Sequence, residues 1–149
     1  IGLLWAEGVI AEILLFFLSG WVLARVGPLT LLLMGGLAGI LRWTGTAASA
    51  ELWALVPLQA LHGLTFGAAH LGAMHFLSRA IPADRSATAQ SLYSTTTGGI
   101  ALGLALLAAG PLYGRFGANA FLAMAALSAV ASLLLLSLKQ QWSGGLIRL

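Results

Sequence analysis

The chain has 149 residues, of which 60% are hydrophobic and only 7% are charged, and its mean hydropathy is +0.98. Soluble domains contain roughly 45–50% apolar and about 25% charged residues, so this composition excludes a soluble globular domain and a disordered chain. The net charge of +3 comes without a cluster of Lys and Arg, which excludes nucleic acid as a partner. The composition predicts an integral membrane protein whose surroundings are the lipid bilayer.

Five apolar segments are long enough to cross a bilayer as helices, which requires about 20 mostly apolar residues each. The predicted spans are residues 3–24, 29–46, 52–77, 87–112 and 118–138, followed by a tail at 139–149. The sequence therefore predicts an all-α membrane protein with a single transmembrane domain over residues 1–149. Because Ile1 stands at the edge of a span, we expect the chain to be a fragment of a longer protein.

The basic residues of the loops predict the orientation of these spans. With a cytoplasmic C-terminus, the outer loops contain only Arg115. The inner ends and loops then contain Arg25, Arg79, Arg85, Lys139 and Arg148. This distribution agrees with the positive-inside rule, so we expect a multi-pass protein whose C-terminus and 139–149 tail are cytoplasmic. We expect the membrane to be a bacterial inner membrane.

Glycines four residues apart predict close contacts between helices. The pairs are Gly35 with Gly39, Gly63 with Gly67, and Gly99 with Gly103. Small residues at this spacing allow two helix backbones to approach closely in lipid. We interpret the pairs mainly as packing sites.

Two acidic residues lie within the first span. Glu12 is about 14 Å along the helix from Leu3, close to the middle of the membrane. An ionisable group at that depth is costly, so we expect Glu12 to be either protonated or paired with a cation. Glu7 is nearer the membrane edge, where its side chain reaches water. Glu12 is therefore the candidate for carrying a proton.

Arg42 is a permanently charged residue in the outer part of the second span. In one interpretation its side chain extends to the interface beside Trp43. In the other it binds the carboxylate of a solute or pairs with Glu12. The sequence leaves both interpretations open.

Polar side chains of the third span fall on one stripe of its predicted helix. At 100° per residue, Gln59, His62, Phe66 and His70 lie within about 80° of one another. Two histidines on one stripe indicate the wall of a wet cavity, and histidine titrates near neutral pH as a proton relay requires. We therefore predict proton-coupling roles for His62 and His70, and a place in the cavity for Gln59.

Gln90 and Tyr93 are three residues apart in the fourth span, so they share a face of its predicted helix. We predict that they line the solute path, although they would equally fit a role in contacts with neighbouring helices. Elsewhere the sequence has no phosphate-binding loop, nucleophile motif or metal-ligand spacing. It therefore predicts neither an enzyme nor a cofactor or metal site.

Two short motifs resemble loops of the major facilitator superfamily. Residues 20–27 resemble the G-x-x-x-D-R-x-G loop of that family, with Ala24 at the position of its acidic residue. Residues 110–117 resemble the turn between the last two helices of many members. A more specific resemblance, to the phenylpropionate permease branch and its lactose and nucleoside proton symporter relatives, lies in residues 4–12, 41–43, 58–66, 70–71 and 90–94.

This resemblance implies that the five spans are the eighth to twelfth helices of a twelve-helix transporter. They would then form most of its C-terminal six-helix bundle, with the missing N-terminal half as partner. In the related symporters a Glu, an Arg and a His on the eighth, ninth and tenth helices serve the polar cavity and proton coupling. The matching residues are Glu12, Arg42 and His62, with His70 further along. The tenth helix lacks the carboxylate of the lactose-type symporters, which makes Glu12 the first choice of proton carrier.

The predicted function is secondary active transport, by alternating access, of a small organic solute together with protons. Glu12 would bind and release the proton, and His62 and His70 would relay it. Arg42 would attract an anionic solute or balance Glu12. One alternative is an exporter or antiporter of the same superfamily, which moves its solute in the opposite direction. Another is a membrane scaffold without transport, in which the polar side chains only hold helices together.

Overall fold

The structure, a computed structural model, describes residues 2–147, and all regular structure in this range is helical. Eight α-helices occur in the order α1 (Gly2–Phe17), α2 (Ser19–Leu23), α3 (Pro28–Ala48), α4 (Leu52–Ala60), α5 (Ala69–Ala80), α6 (Ser86–Ser94), α7 (Leu102–Phe116) and α8 (Phe121–Gln141). The predicted all-α class is thereby confirmed. Arg148, which contributed to the predicted orientation, lies outside the described residues.

Two π-helical turns connect α-helices into longer stretches. Gly63–Ala68 joins α4 to α5, and Thr95–Ala101 joins α6 to α7. Short 3₁₀ turns at Ala83–Arg85 and Gly117–Ala120 precede α6 and α8. The sequence predicts continuous helices through both π-helical positions, so the wider turns are a feature that the apolar pattern does not reveal.

Three helical stretches of residues 2–147 are long and apolar enough to cross a membrane, namely Pro28–Ala48, Leu52–Ala80 and Ala83–Gln141. The third stretch has 59 residues, far more than the roughly 20 that one crossing needs. Between α1 and α2 the helical pattern is interrupted at Leu18, although Val22 N still donates to Leu18 O at 3.0 Å. The existence of five crossings stays a prediction.

The ends of these helices follow from local sequence. α3 starts at Pro28, a position whose missing N–H removes no hydrogen bond because first-turn N–H groups have no partner within the helix. α7 ends at Phe116, and the next residue, Gly117, has a φ of +56°, in the left-handed region that glycine enters at low cost.

α3 is the central helix of the described bundle. It packs along α8 over the most extensive interface, and also against α5 and the Gly63–Ala68 turn. Gly39 faces Ser128 of α8, and Leu31 of α3 is 1% exposed. α1 packs on the Gly63–Ala68 turn from the other side, so this turn lies between two helices.

Two of the three predicted glycine contacts occur in the structure. A Cβ at Gly35 would lie 3.0 Å from Leu64 O, and one at Gly63 would lie 2.9 Å from Ala11 O. Their partners Gly39 and Gly67 also face close neighbours. Gly99 and Gly103 make no such contact within residues 2–147, because a Cβ at either position would have no atom of the described residues within 4 Å, and their contact with a helix stays a prediction. Much of α7 is correspondingly exposed.

Two contacts bring three helix ends together at one end of the bundle. Lys139 Nζ donates to Thr30 Oγ1 at 3.1 Å, and Ile147 N donates to Ala80 O at 2.9 Å. The start of α3, the end of α5 and the end of α8 are therefore neighbours. Trp43, near the other end of α3, stacks on Phe121 at the start of α8.

Candidate functional site

Glu12 and His62 face each other between α1 and the Leu52–Ala80 stretch. The backbones approach closely here, since a Cβ at Gly8 would lie 3.2 Å from His62 Cβ and the backbone of Gly63 is against Ala11. Glu12 Oε2 is 3.6 Å from His62 Nε2, and their side chains are 20% and 29% exposed. This separation is within ion-pair range but longer than a hydrogen bond. The close packing of two small residues thus places a carboxylate beside an imidazole.

Arg42 reaches the same histidine from α3. Its Nη1 donates to Thr65 Oγ1 at 3.0 Å and to His62 Nδ1 at 3.2 Å, and its Nη2 donates to Gln59 Oε1 at 2.7 Å. We call Glu12, Arg42, Gln59, His62 and Thr65 the polar network. It joins α1, α3 and the Leu52–Ala80 stretch around one partly buried cation.

The tautomer of His62 follows from the chemistry of its neighbour. A guanidinium has five donors and no acceptor, so Nδ1 of His62 must accept the bond from Arg42. Nε2 of the neutral ring then carries the hydrogen, and this N–H is the one that faces Glu12. A proton on both ring nitrogens is incompatible with the Arg42 contact. His62 is therefore held as a bridge between an acid and a fixed cation.

Of the two interpretations of Arg42, the structure combines parts of both. Its guanidinium carbon lies 4.8 Å above the ring of Trp43, as the interfacial interpretation expects. Its donors nevertheless point into the bundle, toward the polar network. A direct ion pair with Glu12 is a wrong prediction, because His62 stands between the two charged groups.

The predicted stripe of the third span is confirmed as a ladder of rings. His62 and Phe66 stack with centroids 5.6 Å apart at 13°, and Phe66 and His70 with centroids 6.2 Å apart at 4°. The wider Gly63–Ala68 turn brings residues four apart more nearly into line than an α-helix does. His70 also contacts Phe16 and Tyr93.

A cavity of about 750 Å³ opens beside this ladder, between the two π-helical turns. Its lining residues are Thr65, Phe66, Ala69, His70, Met74, Gln90, Ser91, Tyr93, Ser94, Thr97, Gly98 and Leu102. The predicted site residues thus divide into two groups. His70, Gln90 and Tyr93 line the cavity, whereas Glu12, Arg42, Gln59 and His62 are not among its lining residues. Thr65 belongs to both, because its hydroxyl accepts from Arg42 and its side chain lines the cavity.

Gln90 and Tyr93 of α6 share a face of their helix, as predicted, and both side chains line the cavity on the wall away from the ring ladder. Gln90 Nε2 donates to Ser86 Oγ at 3.2 Å, and Thr97 Oγ1 donates to Tyr93 O at 2.8 Å. These bonds are within one helical stretch. The Gln90 amide is exposed, and its carbonyl oxygen is available to a ligand.

Sequence reasoning missed Thr65, Met74 and Thr97 as lining residues. Thr65 is four residues before Ala69, on the same π-helical turn as Phe66, and only the position of Arg42 reveals its role. The available signal is the clustering of glycine with threonine: Gly63, Thr65 and Gly67 in one turn, and Thr95 to Gly99 in the other. Those clusters coincide with both π-helical turns.

Comparison with known proteins places the chain beside a family and a described relative. The profile of the MFS_1-like family matches residues 1–142. A protein of Escherichia coli (strain K12), described as "Probable 3-phenylpropionic acid transporter", is 33% identical over 125 residues, which are 84% of this chain and 33% of that protein. The chain thus spans about a third of the length of this relative. No solved structure matches significantly.

The family profile covers most of the chain, and it agrees with the all-helical bundle and with the resemblance in the loop motifs. Its members include transporters that lie in the membrane, as the apolar helices of this chain require. The chain is therefore a multi-pass membrane protein that belongs to the MFS_1-like family of the major facilitator superfamily.

Proposed function

We propose that the chain is part of a secondary active transporter that carries a small aromatic carboxylic acid together with a proton. The observation that carries the proposal is the polar network, in which Arg42 and Glu12 are joined through His62 beside a cavity. An acid that exchanges protons and a permanent cation are the two elements that symport of an organic anion needs.

Charge balance gives this network its coupling mechanism. With Glu12 ionised, its negative charge balances Arg42 through His62, and the empty transporter is close to neutral in this region. A proton on Glu12 removes that negative charge and leaves Arg42 without a counter-ion. The carboxylate of a solute then restores the balance. States that contain only the proton or only the anion carry an uncompensated charge within the membrane, which is costly.

His62 and His70 provide the proposed route of the proton. Nε2–H of His62 faces Glu12, so the ring can pass a proton to the carboxylate once Arg42 releases Nδ1. His70 lies on the other side of the Phe66 ring and lines the cavity. Because a phenyl ring carries no exchangeable proton, water in the cavity would have to carry the proton between the two histidines. Binding of a carboxylate to Arg42 would itself free Nδ1. Solute binding and proton movement would then be coupled, because binding of the carboxylate to Arg42 would also allow His62 to take up a proton.

The lining of the cavity supports an aromatic solute. Phe66, His70 and Tyr93 present ring surfaces to it, and Gln90 adds a hydrogen-bonding amide. Aromatic rings pack favourably on one another in offset or edge arrangements. The relative from Escherichia coli is described by an aromatic acid of this kind, 3-phenylpropionic acid. We propose the same chemical class for this chain, with Gln59 and Thr65 orienting Arg42 toward the carboxylate.

Alternating access requires more helices than this chain contains. The matched segment is about a third of the relative's length, and we propose that the remaining helices form the other side of the cavity. The five spans would then belong to a C-terminal six-helix bundle in a bacterial inner membrane, with a cytoplasmic C-terminus. Arg25, Arg79, Arg85 and Lys139 lie in or beside the loops and helix ends on the proposed cytoplasmic side, which supports this orientation.

Uptake driven by a pH gradient tests the proposal. Vesicles containing the full transporter, acidic outside, are expected to accumulate labelled 3-phenylpropionate. Glu12→Gln should abolish accumulation, because no carboxyl remains to release the proton inside. It should preserve exchange of internal for external solute, which needs no deprotonation. Labelled solute is followed in both assays.

Glu7→Gln is the matched control, since it makes the same change on the same helix outside the polar network. It should accumulate solute as the wild type does. Full accumulation by Glu12→Gln would refute the assigned role of Glu12. Net movement of labelled solute out of the vesicles, opposite to the inward proton gradient, would instead identify an exporter. Absence of any flux of labelled solute would favour a scaffold.

A further inference from the structure

A second cavity, of about 320 Å³, lies at the end of the bundle where α3 begins and α5 and α8 end. Its walls are Gly27, Pro28, Leu29, Thr30, Arg79, Lys139, Trp142, Ser143 and Gly144. None of these residues belongs to the polar network or to the larger cavity. The site is therefore separate from the proposed transport path.

Two basic side chains from different helices line this second cavity. Arg79 is in the last turn of α5, and Lys139 is in the last turn of α8. Lys139 Nζ donates one bond, to Thr30 Oγ1, and retains two further N–H donors. Within residues 2–147, no carboxylate lies within 4.0 Å of the basic nitrogens of either residue. Cations in a last turn also stabilise their own helices, but that effect does not require them to converge on one cavity.

The chain after α8 folds into a wall of this cavity. Trp142 packs edge-on against Phe76 of α5, with ring centroids 4.9 Å apart, and its Nε1 donates to Gly145 O at 2.8 Å. Ile147 N donates to Ala80 O at 2.9 Å. Tryptophan is enriched where a membrane meets water, and helix ends lie at the same level. We therefore expect the second cavity, a basic recess, to lie at the depth of lipid headgroups.

We propose that this recess binds the phosphate of an anionic phospholipid, with Arg79 and Lys139 as its ligands. The positive end of the α3 dipole, at Pro28, adds to the same field. Leu136 is one turn before Lys139 on α8 and is 43% exposed, so an acyl chain has apolar surface beside the recess. That surface favours a lipid over free phosphate. Basic pockets between helices at the cytoplasmic side are suited to such headgroups.

Binding of defined lipids to the full transporter in detergent tests the inference. Native mass spectrometry is expected to detect phosphatidylglycerol bound more tightly than phosphatidylcholine, and inorganic phosphate not retained. Replacing both cations, in Arg79→Gln with Lys139→Gln, should weaken phosphatidylglycerol binding about 30-fold, which corresponds to ~2 kcal/mol at 1.4 kcal/mol per tenfold. Two basic residues near an anionic surface are worth about that much.

The control variant, Arg85→Gln with Arg115→Gln, removes the same number of charges outside the recess and should bind the lipid as the wild type does. The pair Arg79→Lys with Lys139→Arg keeps both charges and should retain most of the binding, which separates lost charge from a folding defect. Equal binding of the two lipids, or equal weakening in the control variant, would overturn the proposal. Retention of inorganic phosphate with no preference between the lipids would also overturn it, in favour of a simple ion site.

Discussion

Arg42 determines the arrangement of the polar network because, among residues 2–147, it alone donates hydrogen bonds to Gln59, His62 and Thr65 together. Two terminal nitrogens of a planar guanidinium reach three acceptors at different positions. A lysine ammonium is a point charge with a different geometry, so it cannot reproduce this pattern. The function of Arg42 in the proposal thus depends on its shape as well as on its charge.

Arg42→Lys is therefore expected to retain transport but to bind the carboxylate at least tenfold more weakly, and Arg42→Gln is expected to lose transport. The measurement is the concentration dependence of 3-phenylpropionate uptake under a fixed pH gradient. Arg115→Lys makes the same change on α7 outside the polar network and should leave the apparent affinity unchanged. An unaltered affinity in Arg42→Lys would show that the carboxylate does not bind the guanidinium.

At the level of elements, the Gly63–Ala68 turn holds three helical stretches in contact. Gly63 and Gly67 allow α1 to approach, and Leu64 O lies against Gly35 of α3. This approach brings Glu12 and Arg42 within reach of His62 on opposite sides. The geometry of the polar network is consequently a product of backbone contacts, which side chains of ordinary size would prevent.

Gly63→Ala should destabilise the protein, because its Cβ would lie 2.9 Å from the carbonyl oxygen of Ala11 and one backbone would have to move. Overpacking of this kind costs roughly 1–3 kcal/mol. Thermal unfolding in detergent, followed by tryptophan fluorescence, should give a lower Tm. Gly99→Ala meets no described atom within 4 Å and should leave Tm unchanged or slightly higher. Equal Tm values for the two variants would contradict the role assigned to this contact.

The sequence was sufficient for features that depend on neighbours along one helix. Apolar length predicted where helices occur, and helical periodicity predicted that His62, Phe66 and His70 share a stripe. The sequence was insufficient for contacts between side chains of different helices, because these contacts depend on the distance between the helices. The choice of His62 over Glu12 as partner of Arg42 depends on how closely α1 and α3 approach the same turn. The apolar pattern also did not predict the two π-helical turns, because one more residue in a turn hardly changes the apolar content of the segment.

For the molecule as a whole, the ends of the bundle differ in charge. Arg79 and Lys139 lie together at one end with the start of α3, whereas the Ser49–Glu51 connection contains no basic residue. The membrane spans predicted on either side of that connection require it to face the opposite side of the membrane from the tail. The absence of cysteine from the chain makes this arrangement testable with single substitutions.

Ala83→Cys and Ser143→Cys should react with a membrane-impermeant maleimide from one side of the membrane, and Ala50→Cys from the other. All three residues are exposed in the structure. In right-side-out vesicles we expect labelling of Ala50→Cys alone, and labelling of all three after lysis. The cysteine-free chain gives the background. Reaction of Ala50→Cys and Ala83→Cys from the same side would exclude the predicted crossing between them.

The extensive interface between α3 and α8 also has a consequence for biosynthesis. Gly39 and its neighbour Ser128 are separated by roughly 90 residues of chain. At synthesis rates of about 5–20 residues per second, α8 leaves the ribosome about 5–20 s after α3. During that interval the small-residue face of α3 has no partner from this interface. The interface between α3 and α8 can therefore form only after synthesis of the last helix, and a ribosome stalled before Phe121 would leave the most extensive contact surface of α3 without its partner.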